Sequence, residues 1–219
     1  MHHVGNDIVD LTNPLNVKKI DDPRFIKRVL TAAEREQLTA SKYPLEILWS
    51  FWAAKETAYK VCRKLDLHAA FSPRLYQVSL DEAGERQGKS GIEGRILAGK
   101  VSATCGDIRI RVMISREYVH CMGTEGTSGL ESMVWEVGRM EGPESEADES
   151  SFVRNLAIKG LSIRLEKPPD AIEIKRFKSD GGLGPPFVYI EGKAAPIDIS
   201  LSHDGPFAAY AFTKISPFY

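Results

Sequence analysis

Trp49-Ser-Phe-Trp52-Ala-Ala-Lys55-Glu56-Thr-Ala-Tyr59-Lys60 is the stretch from which the rest of the chain is read. Set on a helix at about 100° per residue, Leu45, Trp49, Trp52, Glu56 and Tyr59 share one face. Ile47, Phe51, Ala54, Ala58 and Val61 share the opposite one. A helix that is apolar on two faces is expected to be buried on two sides. Glu56 lies in the first of these stripes, and a carboxylate there needs a compensating partner. The helix alone leaves two readings open. One is an ion pair with Lys60 at i+4, and the other is a cation brought from elsewhere.

Upstream, Val4-Gly5-Asn6-Asp7-Ile8-Val9-Asp10-Leu11 alternates as a short buried strand with acidic residues. Asp22-Pro23 reads as a helix start, and Thr31-Ala-Ala-Glu34 as a capping box. Arg24, Lys27 and Arg28 fall on one face between them. Such a face is either plain solvated surface or a dock for an acidic partner. Downstream, Leu75–Leu80, Gly94–Ala98, Ile108–Ser115 and Tyr118–Met122 read as strands. The stretch 141–151 is acidic, contains Pro, Gly and Ser, and lacks large apolar residues, so we place a joint there. The expected division is a first half over 1–140, a linker over 141–151 and a second half over 152–219.

In the second half we expect a helix over Phe152–Leu161 and strands over Ala171–Phe177, Phe187–Ile190, Pro196–Ser202 and Phe207–Phe212. Ser179–Pro186 reads as a rigid turn region, without the Gly-Lys-Ser/Thr that a phosphate loop requires. His203 then lies at a hairpin tip, where a histidine is either idle surface or a phosphate grip.

The 219 residues carry a net charge of −1, so nothing drives the chain globally towards nucleic acid or a membrane. No apolar run is long enough for a membrane span. Three cysteines without C-x-x-C spacing, and no signal-peptide pattern, suggest a cytoplasmic protein with free, mostly buried thiols. His2-His3 reads as a tag remnant or a chance pair rather than a metal site.

Three motifs stand in order: G-x-D-I-V-D at Gly5–Asp10, W-x-x-K-E-x-x-x-K at Trp52–Lys60 and S-L-S-H at Ser200–His203. Together they resemble the 4'-phosphopantetheinyl transferase superfamily, and in motif order its holo-acyl-carrier-protein synthases. Arg24–Glu34 and Gly192–Ala195 are similar to the same family. The resemblance implies an α+β fold of two pseudo-equivalent halves, each with a long helix on a small antiparallel sheet. On such a fold the Phe51 stripe of the Trp49–Lys60 helix is expected to pack into the core of its own half, and the Trp49–Trp52 stripe to face a cleft closed by the other half or a neighbouring subunit. It also implies Mg2+-dependent transfer of the 4'-phosphopantetheine arm from coenzyme A to a serine of an apo acyl or peptidyl carrier protein, releasing 3',5'-ADP.

On this resemblance Asp7 and Glu56 match the metal ligands, and Glu56 also the group that activates the serine. Lys60 matches the lysine that meets the phosphates, and Ser202 and His203 match the residues that hold coenzyme A. Asp10 and Lys55 are expected to support the site from behind. Arg24, Lys27 and Arg28 are candidates for carrier docking, and Arg154 and Lys159 for the 3'-phosphate.

Some positions depart from the family. Val9 stands where larger, surfactin-type members carry a second metal carboxylate, and Gly184-Pro185-Pro186 replaces Gly-Lys-Pro. Asp204 adds an anion after His203. The small synthases are about half as long and build their sites between subunits. The surfactin-type enzymes fuse two halves with these motifs in the opposite order. Either residues 78–168 are an insertion into a trimeric synthase, or two halves are fused in reverse order as a monomer, which we favour. A coenzyme A or carrier binding protein without activity and a metal-dependent phosphohydrolase are the alternatives. The carrier itself, whether of fatty-acid, polyketide or peptide synthesis, is left open.

Overall fold

The computed structural model describes residues 2–81, 94–126, 129–141, 146–179 and 182–214. Strand β1 (Val4–Asp10) leads into short helices α1 (Pro14–Val17), α2 (Pro23–Val29) and α3 (Ala32–Ala40), then the long α4 (Pro44–Leu65). Strands β2 (Gln77–Leu80), β3 (Arg95–Ala103), β4 (Gly106–Ile114) and β5 (Tyr118–Glu125) follow. After them come β6 (Met133–Arg139), α5 (Glu146–Leu165), β7 (Ile172–Ser179), β8 (Gly182–Ile190), β9 (Lys193–Asp204) and β10 (Phe207–Lys214). Both expected caps form. The Asp22 side chain accepts from the amides of Arg24 and Phe25, and Thr31 and Glu34 close a reciprocal capping box.

The strands make two five-stranded antiparallel sheets, ordered β1-β5-β4-β3-β2 and β6-β10-β9-β8-β7. The two orders are the same pattern used twice. In each, a first strand pairs with the last, and a long helix intervenes before the other four. This is the two-half α+β architecture, with α4 on one sheet and α5 on the other.

The change of sheet does not fall at the expected 141–151. β6 lies before that stretch and pairs with β10 through Met133–Thr213 to Arg139–Phe207. The acidic stretch is the connection from β6 to α5 together with the first turns of α5, where negative charge is favoured by the helix dipole. Residues 142–145 of it lie outside the described residues. The helix expected over Phe152–Leu161 is longer at both ends. Of the expected turn at Ser179–Pro186, residues 180–181 lie outside the described residues, and the rest is strand. β8 holds its prolines where the pairing is irregular, with register shifts at Arg176/Lys178 and Phe187/Tyr189.

The α4 helix packs as expected on one side only. Phe51, Ala54, Ala58 and Val61 are fully buried in the first core. The tryptophan face is covered by its own half rather than by the second. Phe25 of α2 stands 5.8 Å from both Trp49 and Trp52, and Phe71 stands 5.7 Å from Trp52. Gly5 allows β1 to approach α4, because a Cβ there would collide with the Thr57 carbonyl.

The cysteines correct an expectation. Cys62 on α4 and Cys105 in the β3–β4 turn form a disulfide, and only Cys121 is free and buried. Among the described residues, no helix is long and apolar enough to cross a membrane.

Candidate functional site

Edge strand β1 meets the face of the second sheet without pairing into it. Its outward amides are taken instead by side chains of β9. Val4 donates to Asp198 Oδ2 at 2.6 Å, Asn6 to Ser200 Oγ at 3.0 Å and Asp10 to Asp204 Oδ2 at 2.8 Å. Alternation along β9 explains the arrangement. Asp198, Ser200, Ser202 and Asp204 turn towards β1, while Ile197, Ile199 and Leu201 join the core of the second half around α5. The joint closes a sheet edge and brings Asp7 and His203 of one chain together.

Asp7 and Lys60 form the inner pair of the site. Lys60 Nζ donates to Asp7 Oδ1 and to the Asn6 carbonyl, both at 2.8 Å. Burial raises the proton affinity of Asp7, against the opposing charges of Lys60 and His203. Glu56 lies one turn before Lys60, and its pKa is pushed up to about 7. Burial is the main cause and the Asp7 charge the second, with Lys60 offsetting part. Two neighbouring carboxylates with one lysine between them are under-compensated. Their oxygen donors fit a hard divalent cation such as Mg2+, with water or substrate completing the shell. Among the described residues no third carboxylate, histidine or cysteine joins them.

His203 and Ser202 come from the end of β9. His203 Nδ1 is 2.7 Å from Glu149 Oε2 of α5. The Ser202 hydroxyl is nearly buried and accepts from Asn6 Nδ2 at 3.1 Å, leaving its own O–H to donate. These groups surround a cavity of about 230 Å³ lined by Asp7, Lys60, Arg154, Arg176, Ser202 and His203 among others. A second cavity of about 240 Å³ adjoins it, with Tyr59, Lys64, Pro185 and Pro186 in its wall. Lys60, Arg176 and Leu201 belong to both.

The remaining candidates separate. Asp10 is buried and braces the joint, with its Oδ1 accepting from the amide and hydroxyl of Thr12. Lys55 is not brought to the cluster. It is fully buried on another face of α4, 2.9 Å from Glu34 Oε1, and also donates to the carbonyls of Pro73 and Tyr76. Asp204 is not a loose anion beside Ser202 and His203, since the Asp10 amide and Asn16 Nδ2 hold it. Arg154 reaches the first cavity, whereas Lys159 is exposed on α5 and lines neither. Arg24, Lys27 and Arg28 stand exposed on α2.

Sequence reasoning passed over Asn6, Glu149 and Arg176. Arg176 had a readable signal, because strand alternation puts it on the same sheet face as Ile172 and Ile174 of β7. Glu149 had none, since its partner is 54 residues away.

Residues 3–112 match the family model described as the 4'-phosphopantetheinyl transferase superfamily. A search of curated proteins returned no match.

Proposed function

The chain belongs to the 4'-phosphopantetheinyl transferase superfamily, and from that premise we propose that it moves the 4'-phosphopantetheine arm of coenzyme A to a serine hydroxyl of an apo acyl or peptidyl carrier protein, releasing 3',5'-ADP. We further propose an Mg2+-dependent monomer in which one chain supplies the whole site. The observation that carries this reading is the convergence of Asp7, Lys60 and His203, from both halves, on one cavity beside Glu56.

Asp7 and Glu56 are the residues that would hold Mg2+. When bound, the ion neutralises charge on the phosphates as the pyrophosphate link breaks. Glu56 has a proton affinity near neutrality, which suits it to take the serine proton directly or through water. Lys60 lines both cavities, so its ammonium meets charge that develops on the leaving phosphate. The Ser202 hydroxyl and the His203 ring bind phosphate oxygens and orient the co-substrate. The serine oxygen forms the new P–O bond as the bond to the leaving 3',5'-ADP breaks, so the sites of charge are fixed by the scaffold. The exposed Arg24, Lys27 and Arg28 suit an acidic carrier face.

The test is to incubate the protein with Mg2+, coenzyme A and several apo carriers, and to follow carrier mass. Gain of the arm is expected. Coenzyme A binding without any gain supports a binding protein instead. Phosphate release with no carrier present supports a phosphohydrolase.

A further inference from the structure

Asn6 fills the open position of G-x-D, directly before Asp7, and it is fully buried. Strand alternation turns the two side chains apart. Asp7 faces Lys60 on α4, while Asn6 faces β9 of the second sheet. The backbone of Asn6 is held at both ends. Its amide donates to Ser200 Oγ at 3.0 Å, and its carbonyl accepts from Lys60 Nζ at 2.8 Å. The side-chain nitrogen is shared between two groups. Nδ2 donates to Ser202 Oγ at 3.1 Å and stands 3.3 Å from His120 Nε2.

His120 decides which way that amide points. An amide nitrogen only donates, so Nε2 accepts, and the ring is the neutral form with its proton on Nδ1. Full burial, and then Lys60, keep it neutral by pushing its pKa down to about 3. A protonated ring would present an N–H to Asn6 and draw the amide oxygen towards itself. The turned amide would set that same oxygen against Ser202, and the hydroxyl would donate back into the protein. As built, the Ser202 oxygen accepts from within, so its single proton is left for the cavity that Ser202 lines. Packing alone gives no reason for the arrangement. Among the described residues, Asn6 Oδ1 and His120 Nδ1 have no hydrogen-bond partner, and an apolar pair would fill the same space without leaving buried polar atoms unmet.

Building on the transferase reading above, we propose that Asn6 is a positioning residue, which with His120 behind it holds the Ser202 hydroxyl as a donor aimed at bound coenzyme A. Asn6 itself lines neither cavity. Its side chain therefore reaches the co-substrate only through Ser202, and its effect belongs in KM rather than kcat.

The test is a double-mutant cycle between Asn6→Leu and Ser202→Ala, read as KM and kcat in carrier modification and as coenzyme A affinity by calorimetry. Each substitution alone is expected to weaken coenzyme A about 3- to 10-fold with kcat little changed. The double variant is expected to match Ser202→Ala, because Asn6 then has no hydroxyl to orient. Asn6→Asp reverses the polarity, since its carboxylate accepts from the Ser202 hydroxyl, and should weaken coenzyme A at least as much as Ser202→Ala. Melting midpoints check that each variant is folded at the assay temperature, and Asn6→Ala takes the place of Asn6→Leu where it is not. Effects that multiply independently in the cycle overturn the assignment while leaving the transferase reading intact. So does wild-type affinity in Asn6→Leu or Asn6→Asp. Wild type that binds coenzyme A but modifies no carrier overturns the transferase reading instead, and the calorimetric cycle still decides Asn6. Wild type that does neither overturns both.

Discussion

Lys55 Nζ stands 2.9 Å from Glu34 Oε1, with side-chain exposures of 0% and 2%. Lys55 belongs to the same W-x-x-K-E run as Glu56, yet its work is architectural. Its ammonium ties α4 to α3 and to the carbonyls of Pro73 and Tyr76, while Glu34 also takes the amides of Thr31 and Val78. Truncating one member of such a pair leaves a buried charge without its partner. Lys55→Ala is therefore expected to cost about 3–5 kcal/mol in urea unfolding. Transfer per folded molecule should persist at low temperature. Wild-type stability in this variant, or an inactive but fully folded one, would contradict that division of labour.

How far the sequence shows these things follows from which of them are local. The helix around Trp52 is written in its own periodicity, as are the caps at Asp22 and Thr31 and the short strand that carries Asp7. Glu56 and Lys60 are readable because four residues place them one turn apart. Periodicity reports that the Trp49–Trp52 face is covered, but not that Phe25 and Phe71 of the same half cover it. Nor does anything local tell β6 to join β10 rather than the strands before it. Cys62 and Cys105 pair across 43 residues, and Lys55 differs from Glu56 only by about 100° of helix rotation.

Glu56 sets the pH response of the metal-free protein. Its folded pKa of about 7 lies above the ordinary 4.5. The folded state therefore holds the proton more tightly than the unfolded chain. The associated stability is complete below pH 4.5 and is lost as pH rises through 7, by at most about 3.4 kcal/mol. Glu56→Gln should remove this loss and melt higher than wild type at pH 8 in EDTA, while its transfer activity is abolished. Mg2+ should raise the wild-type midpoint at pH 8 and leave the variant's unchanged. Identical pH profiles for the two proteins, or unchanged transfer in Glu56→Gln, would remove Glu56 from its proposed role.

His120 acts in the opposite sense. Burial first, and Lys60 second, push its pKa down from 6.5 to about 3. It sits fully buried beneath the site, with Asn6 Nδ2 3.3 Å from Nε2 and Trp135 against its ring. The folded state refuses a proton that the unfolded chain accepts below pH 6.5. Stability should therefore fall on acidification from 6.5 towards 3, by at most about 5 kcal/mol from this group. Denaturation of wild type and His120→Gln across that range isolates the contribution. The variant should start less stable at pH 7 and lose less towards pH 4. Parallel curves would show that His120 does not titrate in this way.

The disulfide makes a prediction about both chemistry and stability. Cys62 lies two residues beyond Lys60 on α4, so its bond to Cys105 pins the end of that helix to the β3–β4 turn. Cys121 is fully buried, and its thiol is pushed up to about 12, chiefly by burial. A thiol reagent should accordingly find none of the three cysteines in the native oxidised protein. It should find one after denaturation without reductant, and three after denaturation with it. Closing a loop across 43 residues restricts the unfolded chain by about 4 kcal/mol on the chain-entropy model. Reduction, or Cys105→Ser, should lower the unfolding midpoint to match. Asp7, Glu56 and Lys60 are also held by β1 and by the packing of α4 on the first sheet, so transfer below the reduced midpoint should continue. Loss of transfer in a reduced, still folded protein would mean that the bond positions Glu56 and Lys60 as well as stabilising the fold.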